Sequence, residues 1–117
     1  MNRSAMLELL SKEHLALDDM QQFHHALDEA KNFDPDFVKN VGYMVAEIGE
    51  AVQAYRALDR AATSEKAAAQ IHLGEELADC LAYVLKLANY AEVDLRAAYV
   101  RKMARNVDRT WEKIDTK

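Results

Sequence analysis

Two short acidic motifs hold the residues with which this chain could do chemistry: Glu47-Ile48-Gly49-Glu50 and Glu76-Leu77-Ala78-Asp79. In each, two carboxylates lie three residues apart in a segment that reads as helix, where i and i+3 side chains are neighbours about 5–6 Å apart at Cβ. Two such pairs on two packed helices gather four carboxylates, and like charges that close repel unless a cation sits among them. Hard divalent ions with oxygen ligands answer that need, Mg²⁺ foremost and Mn²⁺ in its place. A single helical Glu is ordinarily a solvated charge, so the signal lies in the two pairs taken together. Such a site needs no Ser, His or Cys nucleophile, and the three scattered glycines form no phosphate-binding loop.

The elements that must position these acids read as helices. The chain has 117 residues, enough for one domain, with 50% hydrophobic and 30% charged residues, a single Pro and only three Gly. The spacing predicts a first helix over 15–31, with Ala16, Met20, Phe23, Leu27 and Ala30 on one stripe. Asp34-Pro35, a cap followed by Pro at the first helical position, predicts a second helix over 35–58. Its apolar stripe is Phe37, Val41, Met44, Val45, Ile48, Val52 and Tyr55, while Glu47 and Glu50 share another face with Tyr43, Ala46, Ala54 and Ala57. Gly49 costs about 1 kcal/mol of helix propensity relative to Ala, which suggests close approach of a backbone or ligand.

Thr63 or Ser64 is available to cap a third helix over 65–90, with a core stripe of Leu73, Leu77, Cys80, Leu81, Val84, Leu87 and Ala88. A second stripe on that helix holds His72, Glu76, Asp79, Tyr83 and Tyr90. Asp94 caps a fourth helix over 94–113, with Val100, Met103, Val107 and Trp111 inward and Lys102, Asn106 and Arg109 following at i, i+4 and i+7. Residues 1–14 read as a poorly defined N-terminal extension in which Ser4 and Ser11 could cap short turns. The sum is one all-α domain over 1–117, a four-helix bundle. The second and third helices each carry two faces that need covering, which predicts a homo-oligomer, a dimer at least and a tetramer by extension.

A net charge of −5 and a pI near 5.3 argue against general nucleic-acid binding, although 96–113 collect Arg96, Arg101, Lys102, Arg105, Arg109 and Lys113. The lone Cys80 forms no internal disulfide and fits the cytoplasm, packing in a core stripe rather than acting in catalysis. No apolar run approaches about 18 residues and no signal-peptide pattern opens the chain, so no membrane or export role is expected.

The order E-x-x-E, 25 intervening residues (51 to 75), then E-x-x-D resembles the MazG-like all-α nucleoside triphosphate pyrophosphohydrolases. The likeness runs from about Gln21 to Trp111 and is sharpest in EELADCLAYVLKLANYAEVDL followed by KMARN and Arg109. In motif it is nearest the subgroup that includes dCTP pyrophosphatases. The resemblance implies Glu47, Glu50, Glu76 and Asp79 as Mg²⁺ ligands and catalytic acids. It implies Tyr83, Lys102, Asn106 and Arg109 as contacts to the nucleotide. It also implies cleavage of a (d)NTP between α- and β-phosphates to (d)NMP and pyrophosphate, a house-cleaning role, and active sites at a dimer interface. Family members often have Trp near the positions of Lys31 and Ala57; here Phe33, Phe37 and Tyr55 are the nearby aromatics.

Blander readings stand beside these. Lys102, Asn106 and Arg109 could be the wet face of the last helix, Tyr83 a core-edge residue, His72 a neighbour of no consequence, and His24 and His25 surface residues. Among functions, a phosphoribosyl-ATP pyrophosphohydrolase uses similar acids. A di-iron oxidase normally uses Glu-x-x-His, absent after Glu47 and Glu76. A non-catalytic helical oligomerisation module gains nothing from four converging acids.

Overall fold

Residues 1–112 are described by a computed structural model, and among them the elements are all helical. They are α1 (Arg3–Leu10), α2 (Leu17–Lys31), α3 (Phe37–Arg60), α4 (Lys66–Tyr90) and α5 (Leu95–Val107), with a 3-10 turn at Thr63–Glu65. The all-α reading is met. No helix among these residues is long and apolar enough to cross a membrane.

Local chemistry sets the helix ends, not always where the sequence predicts. Asn2, rather than Ser4, caps α1, its Oδ1 accepting the Ala5 N–H at 2.9 Å. Residues 3–10 form a helix that packs on α2 and buries Met6. The long helix α3 begins at Phe37, two residues past Pro35. Asp34 is held outside it: its carboxylate accepts the Asp36 N–H (3.1 Å) and pairs with Lys39 Nζ (2.9 Å). Asn40, 2% exposed, donates both amide hydrogens to the carbonyls of Asp34 and Asp36. Asp36 is therefore the cap, accepting the Lys39 N–H at 2.8 Å. The 3-10 turn replaces the expected cap by Thr63 or Ser64, and no side chain caps α4. Asp94 caps α5 as predicted (Ala97 N–H, 3.0 Å), but that helix stops at Val107, and Lys113 lies outside the described residues.

The hairpin of α3 and α4 is the main packing unit, α2 lies on α4, and α1 and α5 each lie on α2. Gln21 fixes the last of these contacts. Its Nε2 donates to Asn89 Oδ1 (3.0 Å) and the Val93 carbonyl (2.9 Å), and its Oε1 accepts the Leu95 N–H (3.0 Å). One side chain thereby ties α2 to the end of α4 and the start of α5.

Which faces are covered departs from expectation. The acidic face of α3, not its apolar stripe, is turned toward α4. Ala54 is buried in that seam, while Val45, Ile48, Val52 and Tyr55 are exposed. On α4, Leu87 and Ala88 are buried, but Leu77, Leu81 and Val84 face solvent. Val100, Met103, Val107 and Trp111, expected inward, are exposed as well. The surface is 9083 Å², against roughly 6,400 Å² for a monomer of this mass. The radius of gyration, 17.3 Å, likewise exceeds the roughly 13 Å of a compact chain of this length.

Candidate metal and nucleotide site

The hairpin register brings the acids level. Glu50 and Glu76 lie ten residues from the α3 and α4 ends that flank the turn, and Glu47 and Asp79 lie thirteen. Ligand oxygens of Glu47, Glu50 and Glu76 all fall within 4.8 Å of one another. Glu47 Oε2 and Glu76 Oε2 are buried and receive no hydrogen bond. Burial first, and then the neighbouring charge of Glu50, holds the Glu47 carboxyl above the usual carboxylate range. Burial raises Glu76 too, with Glu50 next in effect, while His72 (Nε2 3.8 Å from Glu76 Oε1) works the other way. Buried, unpartnered oxygens that repel one another and offer only hard donors fit a divalent cation. Asp79 stands just outside this trio and lines a smaller cavity of 260 Å³ with Glu47.

A cavity of 590 Å³ opens beside the trio and is walled by Glu50, Glu76, His72 and Gln53 over Ala46, Gly49, Ala54 and Ala57. A Cβ built on Gly49 meets nothing within 4 Å, so no backbone of this chain explains that glycine. Its missing side chain instead widens the cavity. Burial, followed by the three acids Glu47, Asp79 and Glu76, pushes the Cys80 thiol up, which leaves it a packing group rather than a thiolate.

Past the acids, α4 carries one stripe at alternating spacings of three and four: Glu76, Asp79, Tyr83, Lys86 and Tyr90. Tyr83 lines the same small cavity as Glu47 and Asp79, together with His24, Leu27 and Lys86. A second hollow of 350 Å³ continues from there, lined by Phe33, Asp34, Asn40, Tyr43, Tyr83 and Lys86. The Tyr43 and Tyr83 rings are 6.4 Å apart. Lys86 Nζ lies 4.6 Å from the Phe33 ring centroid, 5.1 Å from that of Tyr83 and 3.5 Å from Asp28 Oδ1. Tyr90 donates its hydroxyl hydrogen to Asp28 Oδ2, and burial with that bond raises its pKa. His24 is not a surface residue: Nδ1 is buried without a partner, and burial lowers the ring's pKa against the opposing pull of Asp28.

Sequence reasoning places Tyr83 beside the acids but passes over Lys86, Asp28 and His24. For Lys86 the signal is the unbroken stripe from Glu76 to Tyr90. The other candidates are not brought to the acids by this chain. Lys102 and Asn106 lie on α5, which packs on α2, and Arg109 follows that helix with its guanidinium 4.0 Å over the Trp111 ring. None of the three lines either of the two cavities beside the acids described above.

The model of the MazG nucleotide pyrophosphohydrolase domain matches residues 37–116, from the start of α3 to one residue short of the C-terminus. No curated protein and no solved structure matches the chain significantly.

Proposed function

The chain belongs to the MazG nucleotide pyrophosphohydrolase domain family, and from that premise we propose a Mg²⁺-dependent enzyme that hydrolyses deoxynucleoside triphosphates to monophosphate and pyrophosphate. The observation that carries the proposal is the trio Glu47, Glu50 and Glu76, oxygens within 4.8 Å and two of them buried without a partner, beside an aromatic hollow. Glu47, Glu50, Glu76 and Asp79 hold the cation. When bound, it neutralises phosphate oxygens and lowers the pKa of coordinated water. One of the four carboxylates accepts the proton of the attacking water. Tyr83 faces the sugar and base side of the site. The substrates are surplus or aberrant deoxynucleotides, the dCTP-like ones implied by the motif being the first to assay, and the whole chain acts as one cytoplasmic domain.

The assembly is a homo-oligomer, a dimer at least. Ile48, Val52 and Tyr55 on α3 and Leu77, Leu81 and Val84 on α4 are the faces a second copy covers. Lys102, Asn106 and Arg109 are assigned to the phosphates and sugar of the substrate, with the site completed at the interface between copies. The deciding experiment is a panel of NTPs and dNTPs with Mg²⁺, scoring pyrophosphate against phosphate, alongside Glu50→Ala. Pyrophosphate release that disappears in Glu50→Ala is the expected result. Wild-type turnover in Glu50→Ala would remove the site assignment, and activity confined to phosphoribosyl-ATP would redirect the substrate.

A further inference from the structure

Resting on the hydrolase reading but departing from its dCTP-like substrate, we propose that Lys86 is the base-reading residue of the site and selects nucleotides whose base carries a carbonyl oxygen at pyrimidine C4 or purine C6, uracil or thymine over cytosine and hypoxanthine or guanine over adenine. The hollow beside the acids has the form of a base chamber. Phe33, Tyr43 and Tyr83 supply aromatic faces, and it meets the metal-side cavity at Tyr83 and Lys86. Lys86 lies seven residues beyond Asp79 on one stripe, about 10 Å along the helix axis. A ribose sets a base apart from its α-phosphate by a separation of that order.

Lys86 is an unusual residue for such a place. Its side chain is 11% exposed, and its ammonium lies against the Phe33 and Tyr83 rings. Asp28 Oδ1 is 3.5 Å away and receives no hydrogen bond, so the pair is a Coulombic contact that does not commit the ammonium hydrogens. Asp28 itself does not line the chamber, and its other oxygen is taken by Tyr90. Of the acceptors on the rim, Asp34 is engaged by Lys39 and by the Asp36 amide. The deep charged group that an incoming base meets is therefore a donor. An ammonium donates to O4 of uracil or O6 of hypoxanthine and opposes the amino group at the same position in cytosine or adenine. Aromatic walls favour a base face over a phosphate, whose oxygens the metal side accommodates.

The test uses two substrate pairs that differ at that position, dUTP with dCTP and dITP with dATP, on the full-length protein with Mg²⁺. Wild type should favour the carbonyl member of each pair in kcat/KM by about tenfold or more, the scale set by one hydrogen bond to a charged group. Lys86→Met should bring both ratios to within about twofold. Since Lys86→Met leaves Asp28 unpaired, the Asp28→Asn/Lys86→Met double variant repeats the measurement in a neutral pocket, and Asp28→Asn alone should keep the preference. A wild-type ratio near one, or one favouring dCTP, overturns the proposal. So does an equal loss on both members of a pair in Lys86→Met, which would place Lys86 on the phosphates. If wild type releases no pyrophosphate from any of the four, the hydrolase reading fails separately. Calorimetric binding of α,β-imido dUTP and dCTP then decides the base readout, and equal affinities overturn it.

Discussion

Adding Mg²⁺ to the metal-free protein should raise its melting temperature, and the size of the rise follows from the acid trio. Glu47 Oε2 and Glu76 Oε2 receive no hydrogen bond, and the ligand oxygens of the trio lie within 4.8 Å. The unfolded chain scatters these oxygens, so a cation binds the native state almost alone. At free Mg²⁺ one hundred times its dissociation constant, that linkage contributes about 2.7 kcal/mol. A chain of 117 residues unfolds with an entropy of roughly 0.25 kcal/mol/K near 60 °C, so the melting temperature should rise by about 11 °C. In Glu50→Ala one of the three ligands is gone. If affinity falls about a hundredfold, the same Mg²⁺ contributes only about 0.4 kcal/mol and the shift shrinks to under about 2 °C. The assay is differential scanning fluorimetry at fixed protein concentration, with Mg²⁺ titrated against a chelated baseline. Metal-free Glu50→Ala should melt no lower than wild type, because it removes one of the mutually repelling charges. Superimposed wild-type melts with and without Mg²⁺, or a full shift in Glu50→Ala, would refute the reasoning.

Other outcomes follow from the same geometry. The raised Glu47 carboxyl favours the metal-free fold below about pH 4.5 and loses that contribution as pH rises through its elevated folded value. Chemical denaturation of Glu47→Gln should therefore show a flatter fall in stability above pH 4.5 than wild type; identical profiles would remove Glu47 from the cluster. Light scattering should give wild type at least twice 13.3 kDa, and Ile48→Glu should shift it toward the monomer; an active monomer would sink the interface. Lys102→Ala should lower kcat/KM about a hundredfold or more with little change in melting temperature, and Arg105→Ala should do little; equal, small effects would mark the helix as a solvated face. Gln21→Ala removes three hydrogen bonds that join α2 to α4 and α5, and urea denaturation should show a loss of about 2–3 kcal/mol.

Periodicity made the four long helices legible, and the two acid pairs were legible because i, i+3 carboxylates at matched distances from a turn must meet across a hairpin. What periodicity leaves open is which stripe the chain covers itself. An apolar stripe and a stripe of Ala, Gly and Glu have the same 3.6-residue signature. The strong hydrophobicity of Ile48, Val52 and Tyr55 says only that they gain by being covered, and this chain leaves them exposed. Helix starts were misread where a side chain had two possible jobs. Asp34 looks like a cap before Pro35, yet it holds Lys39 and the Asp36 amide instead. Lys86 escaped notice because a helical Lys is ordinarily solvated, and its burial comes from Phe33 on the connection between α2 and α3 and Asp28 on α2, both distant in sequence.

The inside-out hairpin joins assembly to chemistry. A lone bundle gains stability by turning apolar stripes inward, yet the α3–α4 seam is lined by Ala46, Gly49, Ala54 and the acids, which bury little apolar area and repel one another. A cation among the acids and a second copy against Ile48, Val52, Leu77 and Leu81, as proposed, would act on opposite sides of the same two helices. The apolar positions alternate with the acids along one backbone: Ile48 lies between Glu47 and Glu50, and Leu77 between Glu76 and Asp79. Packing that fixes the rotation of α3 and α4 about their axes from outside therefore also fixes how far apart the carboxylates stand within. Loosening the outer contact should weaken cation binding before any ligand is touched.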